Sequence, residues 1–155
     1  MTEFTENDAY DLLRAIGSKE HTNFSGLGII FYRELRELVF ADLGQDRFCL
    51  PKVPIDGLNT VSALLSDLAT ANSPWHDGFH LFNVGGKCLT HISQFIIPPQ
   101  AELKNIVENA RPFGARSMTA FLVSGLPEVA LVGLVDSNQQ ITVFQNQKII
   151  QIKRK

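Results

Sequence analysis

Apolar positions along the chain recur with two periods, and the switch between them marks the elements. Over residues 5–16, Tyr10, Leu13 and Ile16, joined by Leu12, fall on one side of a helical repeat. Thr5, with Asp8 three residues on, supplies a start and Gly17 a stop, so the pattern predicts a helix. Residues 27–32, Leu-Gly-Ile-Ile-Phe-Tyr, are an unbroken apolar run of β-formers, which predicts a strand buried on both faces. A second short strand is expected at 46–50, closed by Pro51. The helical period returns over 59–71 through Val61, Leu64, Leu65 and Leu68, with Asp56 or Asn59 as cap and Asn72-Ser73-Pro74 as the end.

Beyond that point the pattern is mostly that of strands. Residues 78–83 are an expected strand, Gly85-Gly86 a turn, and 87–97 the hairpin partner, broken by Pro98-Pro99. A polar-faced helix over 101–110, a loop over 111–114 and a helix over 115–124 follow. A buried strand over 129–135, a turn over 136–140 and a hairpin of 141–144 with 148–152 close the chain. No repeat, linker or low-complexity segment interrupts it. The expected architecture is one α/β domain over residues 1–155, with a central mixed sheet of about seven strands flanked by about four helices. The hairpins exclude a pure βαβ series.

Composition narrows the function classes. The chain has 155 residues, 45% hydrophobic and 19% charged, enough apolar surface for a core and too little charge for disorder. Most of the 11 Phe residues are expected as buried anchors. The formal net charge is −2, and the one basic cluster, Lys153-Arg154-Lys155, reads as a solvated tail, so nucleic acid is not an expected partner. Cys49 and Cys88 lack metal-type spacing. No apolar segment is long enough for a signal peptide or membrane span, so a cytoplasmic, non-membrane protein is expected. Gly85-Gly86-Lys87 is not a phosphate-binding P-loop, because Leu81 stands where the pattern needs glycine. His76 and His80 have the helical spacing of a zinc pair, but they enter a strand, which does not hold both rings on one side.

The chemically informative segment is Asn72-Ser73-Pro74-Trp75-His76-Asp77-Gly78-Phe79. It puts an imidazole, a carboxylate and a flexible glycine where a helix hands over to a strand. A carboxylate beside a histidine can hold a divalent metal, and glycine lets a nucleotide approach the backbone. Asp-Gly is equally a common turn, with Asp77 a local cap.

Ser73-Pro74-Trp75-His76-Asp77-Gly78-Phe79 resembles the S-P-L-H-D-G-A motif of diadenylate cyclase (DAC) domains, which make cyclic di-AMP from two ATP. Residues 26–34 resemble that family's first core strand, Val61-Ser62-Ala63-Leu64-Leu65 its V-S-x-E-L-L helix, and residues 114–120 its G-T-R-H-R-A-A segment. Leu134-Val135-Asp136 and Ile141-Thr142-Val143 then fall on its V-S-E and I-S-V positions. The likeness runs from about residue 8 to 150 in order and spacing, and it implies a DAC-like fold.

The resemblance implies roles position by position. Asp77 takes the place of the family's catalytic aspartate at the ribose and metal end, and Gly78 and Phe79 lie beside the nucleotide. His76, Asp77 and Asp136 are the implied ligands of Mg2+ or Mn2+, with Asp136 standing for a glutamate. Gly114, Ala115, Arg116 and Ser117 take the phosphate-binding segment, whose helix start favours an anion. Arg116 keeps the first arginine of R-H-R. Ser117 and Met118 replace its histidine and second arginine, and Ala115 replaces a threonine, so most of the charge facing the triphosphate is lost. Phe79 is read as a core residue or a nucleotide neighbour, and Trp75 as a stacking surface or a loop cover. The expected function is nucleotide binding, of ATP or a cyclic dinucleotide, by a catalytically degenerate sensor or effector module. An active cyclase in which Arg111 or Lys87 substitutes, and an interaction domain without a ligand, are the alternatives. The family reaction pairs two sites face to face, so a homodimer or larger homo-oligomer is implied.

Overall fold

A computed structural model of the chain describes residues 3–19, 23–99 and 114–152. The expected helix over 101–110, the loop at 111–113 with Arg111, and Lys153-Arg154-Lys155 lie outside these residues. Thr5 starts α1 (Glu6–Ser18) with a reciprocal cap: the Asp8 amide donates to Thr5 Oγ1, and the Thr5 amide donates to Asp8 Oδ2 at 2.8 Å. The helix runs through Gly17, which is buried against Ile141, and ends at Ser18. Helix α2 (Leu58–Leu68) follows Gly57, whose φ is +88°, and no side chain caps it, so neither Asp56 nor Asn59 has the expected role. Helix α3 is Gly114–Val123.

Eight strands form one sheet among the described residues. They are β1 (Leu27–Tyr32), β2 (Val39–Asp42), β3 (Ile55–Asp56), β4 (Phe79–Asn83), β5 (Cys88–Ile97), β6 (Val129–Val135), β7 (Ile141–Gln145) and β8 (Lys148–Ile152). Their order is β2-β5-β4-β1-β6-β7-β8, with β3 paired to β5. Only β1 and β4 are parallel within this sheet. The mixed α/β sheet expected from the sequence is therefore present.

The sheet is covered on both faces, which explains the unbroken apolar run of β1. Leu27, Ile29 and Phe31 join Leu12, Leu13, Ile16, Val61 and Leu65 under α1 and α2. Ile30 and Tyr32 join Leu81, Val132 and the α3 residues Ala120–Val123 on the other face. Period-two alternation thus survives inside a run that shows none in its composition.

One strand was misplaced by the sequence pattern. Residues 47–49 form a short 3-10 turn, not a strand, and the strand expected there lies at β2. The cause is Arg47, whose guanidinium donates to the carbonyls of Ile92 (2.8 Å) and Ser93 (3.2 Å) and to that of Leu43, and pairs with Asp42 at 3.1 Å. Folding that side chain onto β5 curls the backbone away from extended geometry.

Candidate functional site

Four segments meet at one end of the β1–β4 pair. Residues 73–78 lead into β4, Gly26 leads into β1, Asp136 leaves β6, and α3 begins nearby. This is the entry end of the parallel pair. Antiparallel neighbours deliver the exits of β5 and β6 to the same place, so the usual carboxyl-end position of ligands over a parallel sheet does not apply.

A pocket of about 350 Å3 opens there, lined by Asp77, Gly78, Phe79, Ala115 and Arg116, with Pro74 and Thr119 beside them. Asp77 is exposed, with its side chain 72% accessible. Arg116 is half-buried, and its Nη2 donates to the His76 carbonyl at 3.4 Å. Burial draws the Arg116 pKa down, and the Asp77 carboxylate partly restores it. The guanidinium also fixes Gly26: a Cβ on that residue, at φ +99°, would lie 3.3 Å from Arg116 Nη1 and 2.9 Å from the Val135 carbonyl oxygen. Arg116 thus lies between the 76–78 loop and the turn at Gly26 that leads into β1.

His76 lies at the rear of the loop. Ser25 Oγ donates to the Ala69 carbonyl at 2.8 Å and lies 3.3 Å from His76 Nδ1. With the hydroxyl proton engaged, Nδ1 is the ring's donor toward Ser25, and Nε2 keeps its lone pair. Asp77 Oδ1 is 3.6 Å from the same Nδ1. Asp77, which lines the pocket, is an oxygen donor of the kind Mg2+ or Mn2+ takes, whereas His76 turns Nδ1 and not Nε2 toward that carboxylate and does not line the pocket. Asp136 does not complete a protein-only set. Its Oδ1 accepts from the amides of Asn138 and Gln140, both at 2.9 Å, and so closes its own turn. No group of three His, Cys, Asp or Glu side chains is placed to hold a metal among the described residues.

The remaining site residues divide clearly. Gly78 has φ +76°, and a Cβ there would overlap the Gln94 carbonyl oxygen and come within 2.8 Å of Leu43 Cδ1. Packing alone therefore demands this glycine. Phe79 is buried and its ring occupies the space over Gly28, where a Cβ would be 2.6 Å from Cδ2, so it is a core residue whose edge also faces the pocket. Gly114 has φ +75° with no described residue within 4 Å of its Cβ position, and neither it nor Ser117 lines the pocket. Met118 packs against the apolar cluster under α3. Trp75 donates its indole N–H to the Gln45 carbonyl at 2.8 Å and covers the loop.

The sequence pattern missed the opposite wall, Leu43, Gly44, Phe95 and Ile96. Gly44, at φ +89°, leaves no room for a Cβ against the Pro74 carbonyl (2.7 Å) and Trp75 Cδ1 (2.8 Å). A Leu-Gly pair after a short β run was the available signal. His80 was also passed over except as a zinc candidate. It is 1% exposed, and burial, with Arg116 adding to it, pushes its pKa down to about 3.

No family model matches the chain, and no curated protein does. Solved structures do. A hypothetical membrane-spanning protein from Bacillus cereus superposes with a TM-score of 0.64 at 13% identity over 96% of this chain, which spans 63% of that one. A double mutant of DacA from Staphylococcus aureus superposes with a TM-score of 0.60 at 16% identity, covering 95% of this chain and 85% of that one. No helix among the described residues is long and apolar enough to cross a membrane. The chain therefore has the diadenylate cyclase type of fold, in divergent form.

Proposed function

We propose that this domain binds ATP or a cyclic dinucleotide in the Asp77–Arg116 pocket and does not turn ATP into cyclic di-AMP at a useful rate. The observation that carries the reading is the convergence of the Asp77-Gly78 pair with Arg116, far from it in sequence, on one pocket. A divalent metal held by Asp77 and the phosphate oxygens would offset phosphate charge. Arg116 supplies a fixed cation for the phosphate, and the Phe79, Phe95 and Ile96 side is apolar enough for a base.

The silence follows from charge. Cyclisation expels pyrophosphate, and the charge that develops must be neutralised in place. Arg116 is the one cation lining the pocket among the described residues. Met118 is turned to the apolar cluster, and Ser117, a hydroxyl where the family has an imidazole, does not line the pocket. Loss of one such group commonly costs about 10²–10³ in rate.

Thermal-shift titration with ATP, GTP and cyclic dinucleotides, with and without Mn2+ or Mg2+, tests binding. A ligand at a hundred times its Kd should add about 2.7 kcal/mol. Mass spectrometry of concentrated protein with ATP and metal tests turnover. Nucleotide stabilisation without cyclic di-AMP is expected. Product that disappears in Asp77→Asn would make the domain a cyclase instead, and no shift with any nucleotide would leave an interaction domain.

A further inference from the structure

Ser93 lies beneath the pocket and spends each of its polar groups on a different segment. It is fully buried in the middle of β5, yet its φ is +52°, a left-handed conformation rare for a non-glycine residue. Its N–H donates to Nδ1 of His80 at 3.1 Å. Its hydroxyl donates to the Asp77 carbonyl at 2.8 Å. Its carbonyl accepts from the Leu43 amide at 3.0 Å and from Arg47 Nη1 at 3.2 Å. The β4–β5 register shifts between Phe79 and Leu81, opposite this point.

Both walls of the pocket hang on this one residue, Asp77 through the hydroxyl and Leu43 through the carbonyl. His80 keeps the bulge in place, because in the Nε2-protonated tautomer its Nδ1 can accept the Ser93 amide. A regular β5 would turn the Ser93 side chain to the other face of the sheet and release Asp77. Taking the nucleotide-binding reading as its basis, we propose that Ser93 and His80 are positioning residues, which fix the separation of the Asp77 and Leu43 walls and so preorganise the pocket without touching the ligand.

Two measurements on the same variants test this. Amide hydrogen exchange of residues 76–79 in the free protein reads the strut itself. Ser93→Ala and His80→Leu should speed it by ~5–30-fold, a hydrogen bond or two of local opening. His80→Asn, which keeps an acceptor near Nδ1, should restore protection to within about threefold of the unmodified chain. Calorimetric titration with ATP and Mn2+, at a temperature where each variant is fully folded, reads the consequence. Ser93→Ala and His80→Leu should weaken ATP by ~5–30-fold, and His80→Asn should rescue it. Exchange unchanged in folded Ser93→Ala overturns the proposal. So does faster exchange with unchanged ATP affinity, which marks a structural role alone. Failure of the unmodified chain to bind ATP would instead count against the functional reading, and the strut would then stand or fall on exchange.

Discussion

Gly78 and Gly114 share a positive φ but not a reason for it. At Gly78 the Cβ position is filled by the Gln94 carbonyl and Leu43, whereas at Gly114 no described residue lies near it. Gly78→Ala should therefore cost about 2–4 kcal/mol, from strain and overlap together. Gly114→Ala should cost about 1–2 kcal/mol, from conformation alone. Urea unfolding of the two variants separates the cases, and equal losses would mean that the Gly78 packing is relaxed in solution. His80 makes a second residue-level prediction. Its folded pKa, about 3, lies below its ordinary value of 6.5, so between those values the unfolded chain binds a proton that the folded chain does not. Its contribution to stability is whole above pH 6.5 and falls by ~1.4 kcal/mol per unit as the pH drops toward 3. His80→Asn should flatten the stability–pH curve over that window, and an unchanged slope would show that other groups set it. The sequence displayed His76, Asp77 and Arg116 as a motif. It gave no sign that Asp136 spends its carboxylate on its own turn, because an Asx turn and a metal ligand look alike in one dimension.

Among the elements, those with strong periods were legible and those fixed by one long side chain were not. The α1 cap, the β1 run and β6 fell where their patterns placed them. The β2 edge did not, because it is short and largely exposed and carries no alternation to read. The turn at 47–49 depends on Arg47 reaching carbonyls of β5, a contact of long sequence separation. A similar tie holds residues 33–38. Buried Glu128, just before β6, accepts amide hydrogens from Arg36, Glu37 (2.8 Å) and Leu38 (3.0 Å). Glu128→Ala should cost about 2–3 kcal/mol by orphaning these donors, and Glu128→Gln, which keeps one acceptor oxygen, should cost less. Chemical denaturation reads both, and an Ala variant as stable as the parent would show that water replaces the carboxylate freely.

At the scale of the whole molecule, the order of strands and helices is a property of the chain that survives at 13–16% identity to solved relatives of the same fold. Beside the pocket, Met118 packs into the apolar cluster under α3 and does not line the cavity. The fold was visible in the sequence through the order of its motifs. The second wall of the pocket was not, because Leu43 and Phe95 meet Asp77 only through the β2-β5-β4 pairing. The central claim is that these walls form a nucleotide site whose phosphate cation is Arg116. Calorimetric titration of ATP, cyclic di-AMP and adenosine, with Mn2+, into the unmodified chain and Arg116→Ala tests it most directly. The account predicts that the substitution weakens the phosphate-bearing ligands by about 1.5–3 kcal/mol and leaves adenosine within about twofold. No binding of any of the three by the unmodified chain, or an equal loss for all of them in the variant, would contradict it.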